Sequence, residues 1–312
     1  MSSSAVHPHH PPLPADPDAP PTFQDWHVFD PSSNGWKTLR HEAPEHGTSE
    51  SAPEHPPLTL VTWNVDAFAK FPDERMAAII STLHNLTPTP NILFFQEVSR
   101  ATLKHLLDDP WVREHWYACE GNLHSWGGHV FSTITLLSKS AFSADKCHDK
   151  ISIGPVWRVK YPSKFDRDAL CCDVFLPSSD TRVRLINVHL DSLPLQPSRR
   201  PRQLTIISDG LRHAGRGLVA GDFNPVLPED DSLVAGNGLI DVWDDLHPDE
   251  SGFTWGLDGR ELFPPGRLDK VAVLGLKGKK SKSCTRARSK FRGEDSYSRL
   301  WTRHCLGATT RV

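Results

Sequence analysis

The sequence predicts an α/β domain of two packed, mixed β-sheets with helices on the outside, and three observations carry that prediction. From Leu58 onward, short apolar runs of strand length alternate with segments of helical period and turn signals. The runs His129–Leu137, Ile151–Val159, Ala169–Leu176 and Arg182–Val188 follow one another with connections too short for parallel crossovers, so antiparallel pairing is required. Polar residues stand where the apolar runs stop, the usual placement of a site built on strand-end loops.

The elements follow in order. Leu58–Trp63 reads as a buried strand, Asp73–Leu86 has the apolar spacing of a helix, and Asn91–Phe95 is a second buried strand, which together make a β-α-β opening. The four consecutive strands come next. Arg202–His213 returns to helical period through Leu204, Ile207 and Leu211, and Gly217–Ala220 and Lys270–Leu274 read as further strands. No internal repeat is present. Residues 58–312 are thus expected to form one domain, and a hydrophobic fraction of 38% over 312 residues is enough for its core.

Residues 1–57 differ in composition. They are crowded with Pro, His, Ser, Ala and acidic residues and lack strand or helical period, so they are expected to be a disordered tail. His7, His9 and His10 are read as solvated chain, not as a metal site. The aromatic patch from Phe23 to Leu39, with Trp26, Phe29 and Trp36, is expected to dock on the domain or on a partner.

No apolar run is long enough to cross a bilayer, and the N-terminus lacks the basic start and apolar centre of a signal peptide, so a soluble intracellular protein is expected. The six cysteines match no zinc spacing and are read as reduced thiols. A formal charge of −3 gives no global attraction to nucleic acid, so any such binding rests on local patches.

The strand ends carry the chemistry. They read Thr62-Trp63-Asn64-Val65-Asp66, Gln96-Glu97-Val98, Asn187-Val188-His189-Leu190-Asp191 and Gly221-Asp222-Phe223-Asn224, with Arg267-Leu268-Asp269 leading into the last strand. Strand ends at one sheet edge converge, so Asn64, Asp66, Glu97, His189, Asp222, Asn224 and Asp269 are placed in one cleft. Carboxylates and amide oxygens without cysteine are hard ligands, suited to Mg²⁺ or Mn²⁺, and such a metal acts on phosphate. No Ser or Cys nucleophile motif stands beside a His, and no phosphate-cradling Gly-x-x-x-x-Gly-Lys loop occurs, which disfavours covalent catalysis and nucleotide-triphosphate motors. Each motif alone reads equally as a turn with an Asx hydrogen bond or as a buried histidine. Their joint occurrence in this order is what selects the chemistry.

That ordered set resembles the motifs of the endonuclease/exonuclease/phosphatase superfamily, over nearly the whole domain. Within it, Thr62-Trp63-Asn64-Val65-Asp66, His189-Leu190-Asp191-Ser192, Ile240-Asp241-Val242-Trp243, Phe253-Thr254-Trp255 and Arg267-Leu268-Asp269 look like the 5′-tyrosyl-DNA phosphodiesterases. The resemblance implies a DNase I-like four-layer sandwich with Glu97 as main metal ligand and Asn64 and Asp66 close to metal and phosphate. It implies that Asp222 orients or deprotonates the attacking water, Asn224 helps to position it, His189 contacts the phosphate and Asp269 holds a C-terminal histidine. The superfamily closes with Ser-Asp-His, whereas this chain has Thr302-Arg303-His304; His304 matches the histidine, but Arg303 cannot ligate a cation.

Substrate contacts are assigned to Arg200 and Arg202 beside Arg199 at a helix start, and to Trp255, which either stacks on a base or packs in the core. The basic segment from Lys277 to Arg292 either tracks a phosphate backbone, serves as a nuclear signal or is a solvated insertion. The expected partner is a DNA 5′ end carrying tyrosine or peptide, in the nucleus, bound by a monomer with no membrane attachment. Another phosphoester substrate, or a binding protein that has lost activity, stands as the alternative.

Overall fold

The computed structural model describes residues 20–39, 57–123, 129–145, 147, 149–177, 181–257, 259 and 264–278. The chain begins with three short strands, β1 (Thr22–Gln24), β2 (His27–Asp30) and β3 (Gly35–Thr38). The β-α-β opening follows as β4 (Leu60–Asn64), α1 (Pro72–His84) and β5 (Ile92–Ser99), with β4 and β5 parallel. Two helices, α2 (Arg100–Asp108) and α3 (Pro110–His115), lead to β6 (Trp116–Ala118). The antiparallel run is β7 (Phe131–Ser138), β8 (Phe142–Ser143), β9 (Ile151–Lys160), β10 (Asp168–Phe175) and β11 (Arg182–His189). Helix α4 (Arg200–Ala214) crosses over to β12 (Gly217–Asp222), parallel to β11. The short α5 (Leu233–Gly236), β13 (Ile240–Asp241), α6 (Val242–Leu246) and β14 (Asp269–Leu274) complete the described elements.

Among the described residues one sheet has the order β1-β9-β10-β11-β12-β14-β13, with β8 beside β9; the other has the order β3-β2-β6-β7-β5-β4. The sheets stack face to face. Period-2 alternation on β12 shows how the layers are filled: Leu218 and Ala220 face the other sheet, and Val219 faces Leu204, Ile207 and Leu211 of α4. Helices α1 and α2 cover the far side of the second sheet with Met76, Ile79, Leu83, Leu103 and Leu106. The result is the predicted four-layer sandwich, helix-sheet-sheet-helix.

The structure corrects the boundary of the tail. Residues 22–38 are not disordered but form β1 on one sheet and β2–β3 on the other, so this segment straps the two sheets together. Trp26 sits between them, 1% exposed, and its Nε1 donates to the Gly154 carbonyl oxygen at 3.0 Å. The Trp36 indole donates to the Leu107 carbonyl oxygen at 3.0 Å, tying the strap to α2. The aromatic patch therefore docks on its own domain. Elsewhere the described cysteines are free, and burial pushes the Cys119 thiol up to about 12, which keeps it protonated and unreactive. No helix among the described residues is long and apolar enough to cross a membrane.

Because Trp26 fills the seam between the sheets, Trp26→Ala should lower unfolding free energy by about 3–5 kcal/mol in a urea titration. A loss below about 1 kcal/mol would show that the strap is dispensable.

Candidate active site

The sheet alternation decides which strand-end residues meet. On β11, Ile186 and Val188 pack under α4, so Asn187 and His189 face the opposite sheet; on β12 and β14 the same parity turns Asp222 and Asp269 that way. The register sets His189 beside Asp222 and Asp222 beside Asp269, three adjacent strand ends in one row. From the other sheet, Asn64 pairs in register with Gln96.

Glu97 needs a special device. Gln96 already points between the sheets, where its amide donates to Thr62 Oγ1 at 3.0 Å and to Asn187 Oδ1 at 2.8 Å, so regular pleating would send Glu97 outward. A β-bulge between Phe95 and Val98, with Glu97 at φ 55°, turns its carboxylate back into the cleft. Asp66 (φ 61°) and Asn224 (φ 46°) are also left-handed, so the backbone is held in a sparsely populated region at three strand-end positions around one site. Gly221 explains the Gly-Asp pair: a Cβ there would lie 1.9 Å from the Val188 carbonyl oxygen, so only glycine lets β12 approach β11 closely enough to carry Asp222.

Glu97, His189 and Asp222 each offer a ligand atom, and these atoms lie within 4.8 Å of one another. His189 Nε2 is 3.7 Å from Glu97 Oε1 and 3.8 Å from Asp222 Oδ2. The Asn64 amide bridges the carboxylates, donating to Glu97 Oε1 at 2.8 Å and to Asp222 Oδ2 at 2.9 Å. Asp222 Oδ1 accepts from the Asn224 backbone N–H at 3.1 Å, and the Asn224 amide donates to the Leu190 carbonyl oxygen at 3.0 Å. Two carboxylates drawn from opposite sheets onto one point, with oxygen donors dominating, fit a hard divalent cation.

A model of the Endonuclease/Exonuclease/phosphatase family matches residues 61–303, which include every residue of this cluster. The chain belongs to that family. As a member, it is a hydrolase of phosphoester bonds, and the family is dependent on divalent metal. The fold is similar to D. rerio TDP2 complexed with single-strand DNA product, at 20% identity over 81% of this chain and 96% of that chain, TM-score 0.59. It is also similar to the human Nocturnin catalytic domain with bound sulfate anion, at 15% identity over 73% and 87% of the two chains, TM-score 0.53. A third likeness is to Bacteroides thetaiotaomicron mannosyl-6-phosphatase, at 13% identity over 81% and 96%, TM-score 0.52. No curated protein matches the chain in sequence.

The other residues assigned from the sequence differ in their surroundings. Asp66 turns into its own loop, accepting from the Phe68 backbone N–H at 3.2 Å, while its own N–H donates to Asn64 Oδ1 at 3.0 Å; it lies outside the three-residue ligand cluster. Arg200 is no substrate contact. It is 1% exposed, with its guanidinium on Asp230 (Nε to Oδ2, 2.8 Å) and on the Asp191 and Leu193 carbonyl oxygens. Its neighbour Arg202 is exposed on the first turn of α4. Asp269 is buried in the row, its loop fixed by Thr254 Oγ1, which accepts from the backbone N–H groups of Leu268 and Asp269 at 3.0 and 3.2 Å. Trp255 is half-buried and pairs by backbone hydrogen bonds with Gly266 on that same loop. Thr302, Arg303, His304 and the basic segment beyond Gly278 lie outside the described residues.

Two supporting residues went unread, and a third, Asp241, entered only as part of a motif. Arg167, in the loop before β10, donates to the Leu190 carbonyl oxygen and to Ser192 Oγ (2.7 Å), bracing the segment that follows His189; burial lowers its guanidinium, opposed by the negative charge of Asp222 and Glu97. Tyr161 hydroxyl reaches the carbonyl oxygens of Asp168 and His189, both at 3.1 Å, and pins the end of β11. Asp241 explains the Arg267 motif: it receives Arg267 at 2.9 Å and Lys270 at 3.0 Å and caps α6 at the Trp243 N–H. Burial pushes the Asp241 carboxyl up, but the two cations outweigh it and hold it below the usual carboxylate range.

If the cluster holds the metal, saturating Mg²⁺ or Mn²⁺ should stabilise the fold by roughly 2–3 kcal/mol at about a hundredfold excess over Kd, and raise Tm accordingly. Glu97→Gln and Asp222→Asn should each remove that rise in a thermal melt with and without EDTA. A rise that survives in both variants would place the cation elsewhere.

Proposed function

We propose that the chain is a Mg²⁺-dependent phosphodiesterase that hydrolyses 5′-phosphotyrosyl DNA ends, in the nucleus. The observation that supports this most is the Glu97–His189–Asp222 cluster bridged by Asn64, on a chain whose strand-end motifs resemble the 5′-tyrosyl-DNA phosphodiesterases and whose fold is similar to TDP2 complexed with a single-strand DNA product.

Glu97, with Asn64 nearby, holds the metal, and when bound the metal supplies neutralisation of the phosphoryl oxygens and of the leaving oxygen. Asp222 takes the role of water orienter. Its Oδ2 accepts the Asn64 amide at 2.9 Å and its Oδ1 accepts the Asn224 N–H at 3.1 Å, so both oxygens are held in a fixed orientation toward an attacking water. The water oxygen attacks phosphorus as its proton passes to Asp222, and the bond from phosphorus to the tyrosyl oxygen breaks. Phenolate is a competent leaving group because its conjugate acid has a pKa near 10, so the step needs little general-acid help. His189 Nε2 and the Arg167 guanidinium face the phosphate and spread its developing charge. By the family resemblance, the role of Asp269 is to hold a C-terminal histidine, for which His304 is the sequence match. Arg202 and Trp255 serve the flanking nucleotide.

The deciding experiment is hydrolysis of a short oligonucleotide bearing a 5′-phosphotyrosine. Release of a 5′-phosphate end in Mg²⁺ and not in EDTA is expected, with Glu97→Gln lowering kcat/KM by at least about 10³-fold. Asp222→Asn should lower kcat by about 10²- to 10⁴-fold with little change in substrate affinity. Turnover of another phosphoester in place of this one overturns the tyrosyl-DNA reading, and DNA binding without metal-dependent hydrolysis points to a member that Arg303 has disabled.

A further inference from the structure

We infer that Phe68 and Phe131 form an aromatic platform that stacks the nucleobase next to the scissile phosphate, a reading that rests on the DNA-end function above.

Phe68 is 75% exposed, an unusual position for a phenyl ring, yet the backbone on both sides of it is hydrogen-bonded. The Ala67 N–H donates to Glu97 Oε2 at 3.2 Å, the Phe68 N–H to Asp66 Oδ1 at 3.2 Å, and the Ala69 N–H to the Asp66 carbonyl oxygen at 3.1 Å. The loop that presents the ring is thus bolted to the same carboxylate that anchors the candidate metal cluster. A ring so bare on a backbone already held in place costs less to order on contact with a ligand, which favours a role in contact over a role in packing.

The ring is also supported from below. Phe68 meets Phe131 edge to face at 5.9 Å and 84°, and Phe131 leans on the His189 ring at 6.1 Å and 34°. His189 in turn lies 3.7 Å and 3.8 Å from the Glu97 and Asp222 carboxylates. One aromatic wall therefore runs from the phosphate-handling imidazole out to solvent, each step within the range of aromatic pairing. With phosphate at the cluster, the next rigid planar group of a nucleic acid strand is the base of the terminal nucleotide. Base-on-aromatic stacking is sequence-tolerant, as a DNA-end enzyme requires, and its strength lies in the open ring face that Phe68 keeps.

The test uses the full chain and oligonucleotides ending in a 5′ nucleotide that carries 2-aminopurine, a normal base or no base. In EDTA, where no turnover is needed, the 2-aminopurine fluorescence should fall on binding to the wild-type chain. Phe68→Ala should abolish that quench and weaken base-bearing ends about tenfold or more, while abasic ends bind both proteins alike. Phe68→Trp should restore the quench and Phe68→Leu should not, which separates stacking from apolar filling. In Mg²⁺, the loss in Phe68→Ala on 5′-phosphotyrosyl ends should fall mainly on KM. Equal affinity of the wild type for base-bearing and abasic ends, or an equal loss on both in Phe68→Ala, overturns the platform while leaving the DNA-end reading intact. Absence of binding to every oligonucleotide overturns both.

Discussion

The structure turns on holding two carboxylates from different sheets against each other. Glu97 and Asp222 offer oxygens within 4.8 Å, which at an effective dielectric near 20 costs roughly 3–4 kcal/mol of repulsion if both are ionised. The Asn64 amide stands between them with one N–H for each, and two charge-assisted hydrogen bonds of about 1.5–3 kcal/mol apiece can offset that cost. The offset is of the same order as that cost, and it leaves a net negative pocket suited to a cation. Because the two acids arrive on different sheets, any shear between the sheets would separate them. Much else in the molecule serves to prevent that shear.

Below the site, the Gln96 amide crosses to Asn187 Oδ1, and the Asn187 amide returns to the carbonyl oxygens of Phe95 and Ile134 at 3.2 and 2.9 Å. These are buried polar groups with partners, so sliding one sheet by a residue would strand several donors at about 1–3 kcal/mol each. At the opposite edges, the strap of residues 22–38 adds β1 to one sheet and β2 and β3 to the other and seats Trp26 between them. The site is therefore clamped from underneath by amides and from the side by an indole.

The main strands and both long crossover helices were legible because each buries a face with its own period: Leu204, Ile207 and Leu211 announce α4, and the unbroken apolar run at residues 217–220 announces β12. The strap was not legible. Its strands are three or four residues long, they lie between Pro- and His-rich stretches, and Trp26 gains its burial from Gly154, 128 residues away. Helix α2 is a different case, since Leu103, Leu106 and Leu107 behind a Ser99 cap carry a local signal that needed only to be weighed. At the site, the motifs named Glu97, His189 and Asp222, but the bulge that aims Glu97 has no glycine to mark it. Arg200 looked like a solvent-facing cation because its partner Asp230 lies 30 residues on. Local pattern reveals which residues are special; it does not reveal which long-range partner has already claimed them.

The division between clamped centre and variable rim also bears on substrate choice. TDP2, Nocturnin and a mannosyl-6-phosphatase share this fold at 13–20% identity, and their names denote different substrates. A fold shared so widely cannot select the substrate. In this chain the ligand cluster is buried and cross-linked, whereas large exposed apolar side chains occur on the loops that follow the strand ends, at Phe68, Val130, Phe165, Leu193 and Phe253. Soluble proteins leave such side chains bare singly without consequence, and among these Phe68 is the one joined to the cluster, through Phe131 and the His189 ring. The loop that carries Phe68 is the one fastened directly to Glu97 through the Ala67 N–H, so the rim and the centre meet there. A change at Phe68 would therefore alter the exposed rim while leaving the Ala67–Glu97 hydrogen bond, which is made by backbone N–H, in place.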